Sequence, residues 1–252
     1  MKIAVVTGAS SGMGREAAVQ IADRFAGIEE IWLIARRGER LEELKGRLPA
    51  RVRCFAADVT KKEERAVLEE ALKQEKPDVK ILVNSAGFGK IGRVGEVDEH
   101  TECAMVRLNC EALCAVTHMV LPFMSRNSRI VQFASAAAFL PQPGFAIYAA
   151  TKSFVLSYSR ALGAELKGRE IYVTAVCPGP VDTEFFDIAE TGAQIPLYKR
   201  LVMATPGSVV KKALRDSYMG KSVSVYGLTM NLFWVLSKWI PHEILIRMLG
   251  TE

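Results

Sequence analysis

"KIAVVTGASSGMGR", residues Lys2 to Arg15, decides how the rest of the chain is read. The run Ile3-Ala4-Val5-Val6 is apolar at every position, so it reads as a strand buried on both faces. It breaks into Gly8, Gly12 and Gly14, spaced G-x-x-x-G-x-G, and a helical pattern then runs to Gly27. A buried strand, a glycine turn and a helix make the opening unit of a parallel sheet.

The unit recurs. Strands are expected at 30–36, 52–59, 79–87, 129–135, 171–179 and 222–227, and helical patterns at 40–48, 61–75, 98–125, 145–167 and 206–219. Thr60 and Glu63 read as a capping box for the helix at 61–75. Thr205 and Pro206 read as the cap and first residue of the helix at 206–219. Strands apolar throughout, alternating with helices, predict an α/β fold: one doubly wound parallel sheet of about seven strands, with helices on both faces. The main domain is expected over 1–227, with 228–252 as an amphipathic extension of it. Residues 180–204 lack periodicity and are expected to form a flexible lid.

The 252 residues carry a net charge of +5, and half are apolar. The basic residues are scattered, which argues against a nucleic-acid surface. "MKIAVVTG" has too short an apolar run for a signal peptide. The cysteines number five, with no Cys-x-x-Cys, which fits a reducing, cytoplasmic setting. Cys110, Cys114 and His118 share a helical stripe, but its ends lie roughly 12 Å apart along the axis, too far to bind one ion. No metal is expected.

In a doubly wound sheet, ligands bind beyond the carboxyl ends of the strands. The turn Gly8, Ser10, Ser11, Gly12, Met13, Gly14 would let the backbone approach a pyrophosphate resting on the helix N-terminus. The second strand ends Ala35-Arg36-Arg37, without the carboxylate that holds a ribose 2′-hydroxyl in NAD sites. Arg36 and Arg37, with Arg15 after the turn, instead suit a 2′-phosphate and predict NADP(H).

"YAATK" places Tyr148 and Lys152 one helical turn apart on one face. Reducing a carbonyl by hydride leaves charge on its oxygen, which then needs a proton. A free tyrosine titrates near ~10, and an ammonium within ~4–6 Å is expected to lower that. Ser135, at the end of the fifth strand, could donate a hydrogen bond to the same oxygen.

"TGASSGMG", "NSAG" at 84–87, Ser135, "YAATK" and "PGPVDT" at 178–183 resemble, in order, the motifs of the short-chain dehydrogenases/reductases. That family usually has a second asparagine where this chain has Ser85. The resemblance implies a Rossmann-type dinucleotide-binding fold over about 1–227, of the carbonyl-reductase or hydroxysteroid-dehydrogenase sort. It makes Ser135, Tyr148, Lys152 and Asn109 catalytic. Lys152 would also hold the nicotinamide ribose, and Asn109 a water linked to Lys152. Asp58 and Val59 would meet the adenine, while Asn84, Ala86 and Gly87 would line the cofactor channel. Pro178 and Gly179 would border it, and Val181 and Thr183 would grip the carboxamide.

Phe139, Leu140, Pro141 and Phe145, with Phe185, Phe186, Ile188, Ile195, Leu197 and Tyr198, suggest an apolar pocket for a steroid, acyl chain or aromatic ketone. Packing against the core explains them as simply. In the tail, Leu232, Leu236, Trp239 and Ile240 form one stripe, and Ile244, Leu245, Met248 and Leu249 another, on two helices broken near Pro241. Packing on the protein itself or on a second subunit is favoured over membrane contact, and a homodimer or homotetramer is expected. His242 reads as a surface turn residue. The alternatives are a non-catalytic NADP-binding regulator and a membrane adaptor acting through the tail.

Overall fold

A computed structural model describes residues 1–185, 189 and 203–249. Seven parallel strands form one sheet in the order β3-β2-β1-β4-β5-β6-β7. They are β1 (Lys2–Thr7), β2 (Glu30–Ala35), β3 (Arg51–Ala56), β4 (Asp78–Asn84), β5 (Arg129–Phe133), β6 (Tyr172–Val176) and β7 (Val223–Ser224). The strand order reverses between β1 and β4, which opens a crevice at their carboxyl ends.

The helices are α1 (Gly12–Arg24), α2 (Gly38–Lys45), α3 (Lys62–Glu75), α4 (Glu99–Val106), α5 (Leu113–Val120), α6 (Ala146–Glu165), α7 (Pro206–Tyr218), α8 (Leu228–Trp239) and α9 (His242–Leu249). Successive side chains of a strand point to opposite faces. Ala4 and Val6 of β1 therefore join Ile21 of α1, Leu41 of α2 and Val210 of α7. Ile3 and Val5 join Leu72 of α3, Val116 of α5 and Leu162 of α6. Two cores on one sheet explain why the strands carry no polar alternation.

The expected strands are too long at their carboxyl ends. β1 stops at Thr7, β3 at Ala56, β4 at Asn84, β5 at Phe133 and β6 at Val176. Beyond those points the ladders end, although small or apolar residues such as Ala57, Ala86, Ala134 and Cys177 continue.

Two helix details also differ. Thr60 is not a cap: α3 starts at Lys62 without a side-chain cap. Asp58 accepts from the Thr60 backbone N–H at 2.9 Å and from its hydroxyl, and Glu64 rather than Glu63 reaches back to the Asp58 N–H at 2.6 Å. The helix expected at 98–125 is interrupted by a π-turn, Arg107–Ala112, and ends in a 3₁₀ turn, Leu121–Phe123. The cap at Thr205 is present: its hydroxyl accepts from the Ser208 N–H, with Pro206 next.

In the tail, α8 packs with its other face. Met230, Phe233 and Trp234 meet Phe139 and Val225, with Phe139 ring centroids 6.1 Å from those of Phe233 and Trp234. The stripe of Leu232, Leu236 and Trp239 faces outward, and Trp239 is 82% exposed. His242 Nε2 lies 3.2 Å from the Ser237 carbonyl oxygen, near the end of α8. The side chains of Met248 and Leu249 lie outside the described residues, as do Phe186, Ile188, Ile195, Leu197 and Tyr198.

Candidate active site

The glycine turn sits directly on the neighbouring strand. Gly8 has φ +67, and a Cβ there would lie 2.7 Å from the Ala86 backbone nitrogen. At Gly14 a Cβ would lie 2.3 Å from the Gly8 oxygen. Only glycine brings α1 this close to its turn, leaving the helix N-terminus open to an anion. Thr7 fixes the other side: its hydroxyl accepts from the Ser85 and Ala86 N–H groups at 3.2 and 3.3 Å. Met13 packs into the core beneath the turn. This is a cradle that fits a dinucleotide's phosphates.

Arg37 is the arginine that reaches the turn. Its Nη2 donates to Ser11 Oγ at 2.7 Å and to Ser10 Oγ at 3.2 Å. Its Nη1 pairs with Glu184 at 3.0 Å, and Arg40 pairs with the second Glu184 oxygen. Arg36 is near enough to Asp58 for its charge to act on that carboxyl. Burial pushes the Asp58 carboxyl up, but the two Thr60 hydrogen bonds, Arg36 and Lys61 outweigh it and hold it below the usual range. Arg15 bonds Ser11 through its backbone, and its guanidinium is not among the groups that meet there. Arg40 lies in the first turn of α2, three residues beyond Arg37 at the helix's N-cap, and carries no motif of its own. Glu184 carries no sequence signal, because it comes from a distant segment.

Ser135, Tyr148 and Lys152 converge beyond β5. Ser135 leaves the strand extended and accepts from the Ala137 N–H at 3.1 Å, so its own proton is free to be donated; it stands near enough to the Tyr148 phenol to favour its ionised form. Lys152 Nζ donates to the Phe133 carbonyl at 2.9 Å and lies 5.5 Å from the centre of the Tyr148 ring. Burial pushes the Tyr148 phenol up to about 12, against the opposing influence of Ser135. Burial pulls the Lys152 amine down to about 8, against the neighbouring thiols of Cys110 and Cys177. Burial thus outweighs any lowering of Tyr148 by Lys152 expected from their spacing, since both groups are buried and the amine is turned to a backbone carbonyl. Both thiols are themselves pushed up by burial, Cys110 to about 11 and Cys177 to about 12. They are inert packing groups rather than nucleophiles.

Asn109 sits in the π-turn and is almost fully buried. Its Oδ1 accepts from the Phe88 N–H at 3.0 Å, and its Nδ2 donates to the Phe88 carbonyl at 2.9 Å and to Thr151 Oγ1 at 3.0 Å. It thereby ties the loop after β4 to α6 just above Lys152. Gly87 lies between them: a Cβ there would sit 2.9 Å from Asn109 Oδ1 and 3.4 Å from Lys152 Nζ. Asn84, expected to line the channel, instead donates inward to Thr117 Oγ1 at 3.0 Å and anchors β4 to α5.

The remaining residues border the same crevice. Val59 and Val181 are buried. Pro178 accepts from the Ala136 N–H through its carbonyl at 2.8 Å. Gly179 lies under Met230, whose sulfur would be 2.7 Å from a Cβ. The Thr183 methyl faces Gly12. Of the expected apolar wall, Phe145 stacks on Tyr148 at 4.3 Å, and Phe185 tilts against it at 5.3 Å. Phe139 and Leu140 are buried, Phe139 beneath the tail. Gly89 makes room for the aromatic cluster, since a Cβ there would fall within 2.9 Å of Tyr148, Phe145 and Phe185.

Residues 2–192 match the family described as short chain dehydrogenase. A sulfoacetaldehyde reductase 2 of Chromohalobacter salexigens is 38% identical over 76% of this chain and 77% of its own length. Among solved structures, a short-chain dehydrogenase from Sphingobium yanoikuyae in complex with NADPH has a TM-score of 0.80 at 27% identity, covering 100% of this chain and 96% of that one. A 3-ketoacyl-(acyl-carrier-protein) reductase from Brucella melitensis complexed with NADH has a TM-score of 0.76 at 26% identity, covering 89% and 95%.

Proposed function

The chain belongs to the short-chain dehydrogenases, oxidoreductases that use a nicotinamide cofactor, and from that premise we propose an NADP(H)-dependent enzyme that interconverts a carbonyl and a secondary alcohol on a lipophilic substrate. The observation that carries the reading is the convergence of Ser135, Tyr148 and Lys152 beside the glycine cradle. When bound, the nicotinamide supplies or accepts the hydride. Tyr148, kept protonated by burial, gives its proton to the substrate oxygen. Ser135 donates a hydrogen bond to that oxygen and shares the developing charge. Lys152 stands behind the phenol as the local positive charge and holds the cofactor ribose. Asn109 positions Lys152's surroundings through Phe88 and Thr151. Val181 and Thr183 would meet the carboxamide, and Asp58 the adenine.

The preference for NADP(H) rests on Arg37 at Ser10 and Ser11, with Arg40 beside it, and on the absence of a carboxylate at the end of β2. The preference for a lipophilic substrate rests on Phe145 and Phe185 around Tyr148. We place the enzyme in the cytoplasm as a homodimer or homotetramer. The outward stripe of Leu232, Leu236 and Trp239 supplies an apolar contact between subunits.

Replacing Tyr148 by Phe removes one hydroxyl and little else. NADPH oxidation with a panel of ketones and aldehydes is expected to fall by at least ~100-fold, with cofactor binding retained. Turnover that survives the change would refute the mechanism.

A further inference from the structure

Glu184 lies where an acidic residue is least expected. Its two carboxylate oxygens face Arg37 and Arg40 separately, and Arg37 in turn holds Ser10 and Ser11 of the phosphate turn. The backbone around it is pinned. Val181 pairs with Ala204, the Asp182 N–H donates to the Ala204 carbonyl at 3.0 Å, and the Ala204 N–H donates to the Pro180 carbonyl at 2.9 Å. Thr183 rests on Gly12. Glu184 therefore comes to the arginines as part of the site, not as a stray surface side chain.

We propose that Glu184 is a specificity-determining residue: its carboxylate competes with the cofactor's 2′-phosphate for Arg37 and Arg40. The inference rests on the NADP(H) reading above. A carboxylate offers one negative charge and two acceptor oxygens. A phosphate monoester offers nearly two charges and three acceptors. Both ion pairs are about half exposed, so each is weak and readily exchanged. The phosphate therefore displaces Glu184, while a cofactor without the phosphate leaves Glu184 in place. Glu184 sets the threshold for entry at the arginine pair, weakening every 2′-phosphorylated ligand by the strength of the bonds it must give up.

The test separates the phosphate from the nicotinamide by using 2′,5′-ADP and 5′-ADP as probes in calorimetric titrations of the full chain. Glu184→Gln is expected to tighten 2′,5′-ADP by roughly three- to ten-fold, the weight of two half-exposed ion pairs, and to leave 5′-ADP unchanged. Arg37→Gln is expected to weaken 2′,5′-ADP alone. If Arg37→Gln weakens 2′,5′-ADP but Glu184→Gln leaves it unchanged or weaker, competition is overturned and the NADP(H) reading stands. If Glu184→Gln weakens 5′-ADP, the carboxylate is a ribose ligand and the inference also fails. If Arg37→Gln affects neither probe, the NADP(H) reading falls and this inference with it.

Discussion

Tyr148 and Lys152 show how far a spacing can be trusted. Four residues on a helix do put the phenol and the amine on one face, but the spacing says nothing of what else surrounds them. Burial acts on both groups in opposite directions and leaves a neutral phenol beside a weakened base. That has a measurable consequence for stability. Below pH 8 the amine is charged in both the folded and unfolded chain, and its burial costs stability in full. From pH 8 toward 10.5 the folded protein loses the proton first, so raising the pH relieves the cost. Lys152→Met is therefore expected to be more stable than the parent at pH 7 by up to about 3 kcal/mol, with the advantage shrinking toward pH 10. Above pH 10 the buried phenol of Tyr148 begins to destabilise both chains alike, because the unfolded phenol ionises first. Urea denaturation at pH 7, 8.5 and 10 checks this, and an advantage constant across the three would contradict it.

At the scale of the element, the strands and helices were legible because two buried faces impose a continuous apolar run, and helices punctuate it. The strand ends were not legible. Ser85, Ala86 and Ser135 continue small or apolar patterns, yet they leave the ladder because no neighbouring strand extends that far. The π-turn was equally hidden, since one widened turn leaves the helical periodicity of 98–125 almost intact. Its effect is local: it turns Asn109 so that both ends of its amide meet Phe88 while Nδ2 also reaches Thr151. Asn109→Ala would leave the Phe88 N–H and C=O and the Thr151 hydroxyl short of partners. We expect a loss of about 2–3 kcal/mol in urea unfolding, with kcat reduced more than KM is raised.

For the molecule as a whole, the glycine turn and the alternation follow from local rules in the chain, while Ser135, Tyr148 and Lys152 are singled out by spacing together with the family resemblance. Arg40 and Glu184 could not be singled out in this way: their meeting depends on how a segment 144 residues away returns over the first crevice. The tail shows the same limit. Periodicity found the apolar stripe of Leu232, Leu236 and Trp239 but not the second apolar face of α8, which Phe139 and Val225 cover. If the outward stripe joins subunits, Leu232→Glu combined with Trp239→Glu should shift the protein to a smaller species in size-exclusion chromatography, with its circular dichroism unchanged. An unshifted elution would assign that face another role.

The Met230 thioether stands where any side chain at position 179 would have to go. A side chain there must push that thioether aside, a shift a long unbranched side chain makes at little cost. Bulk added at the rim of the crevice is thus felt first in α8, through one movable sulfur.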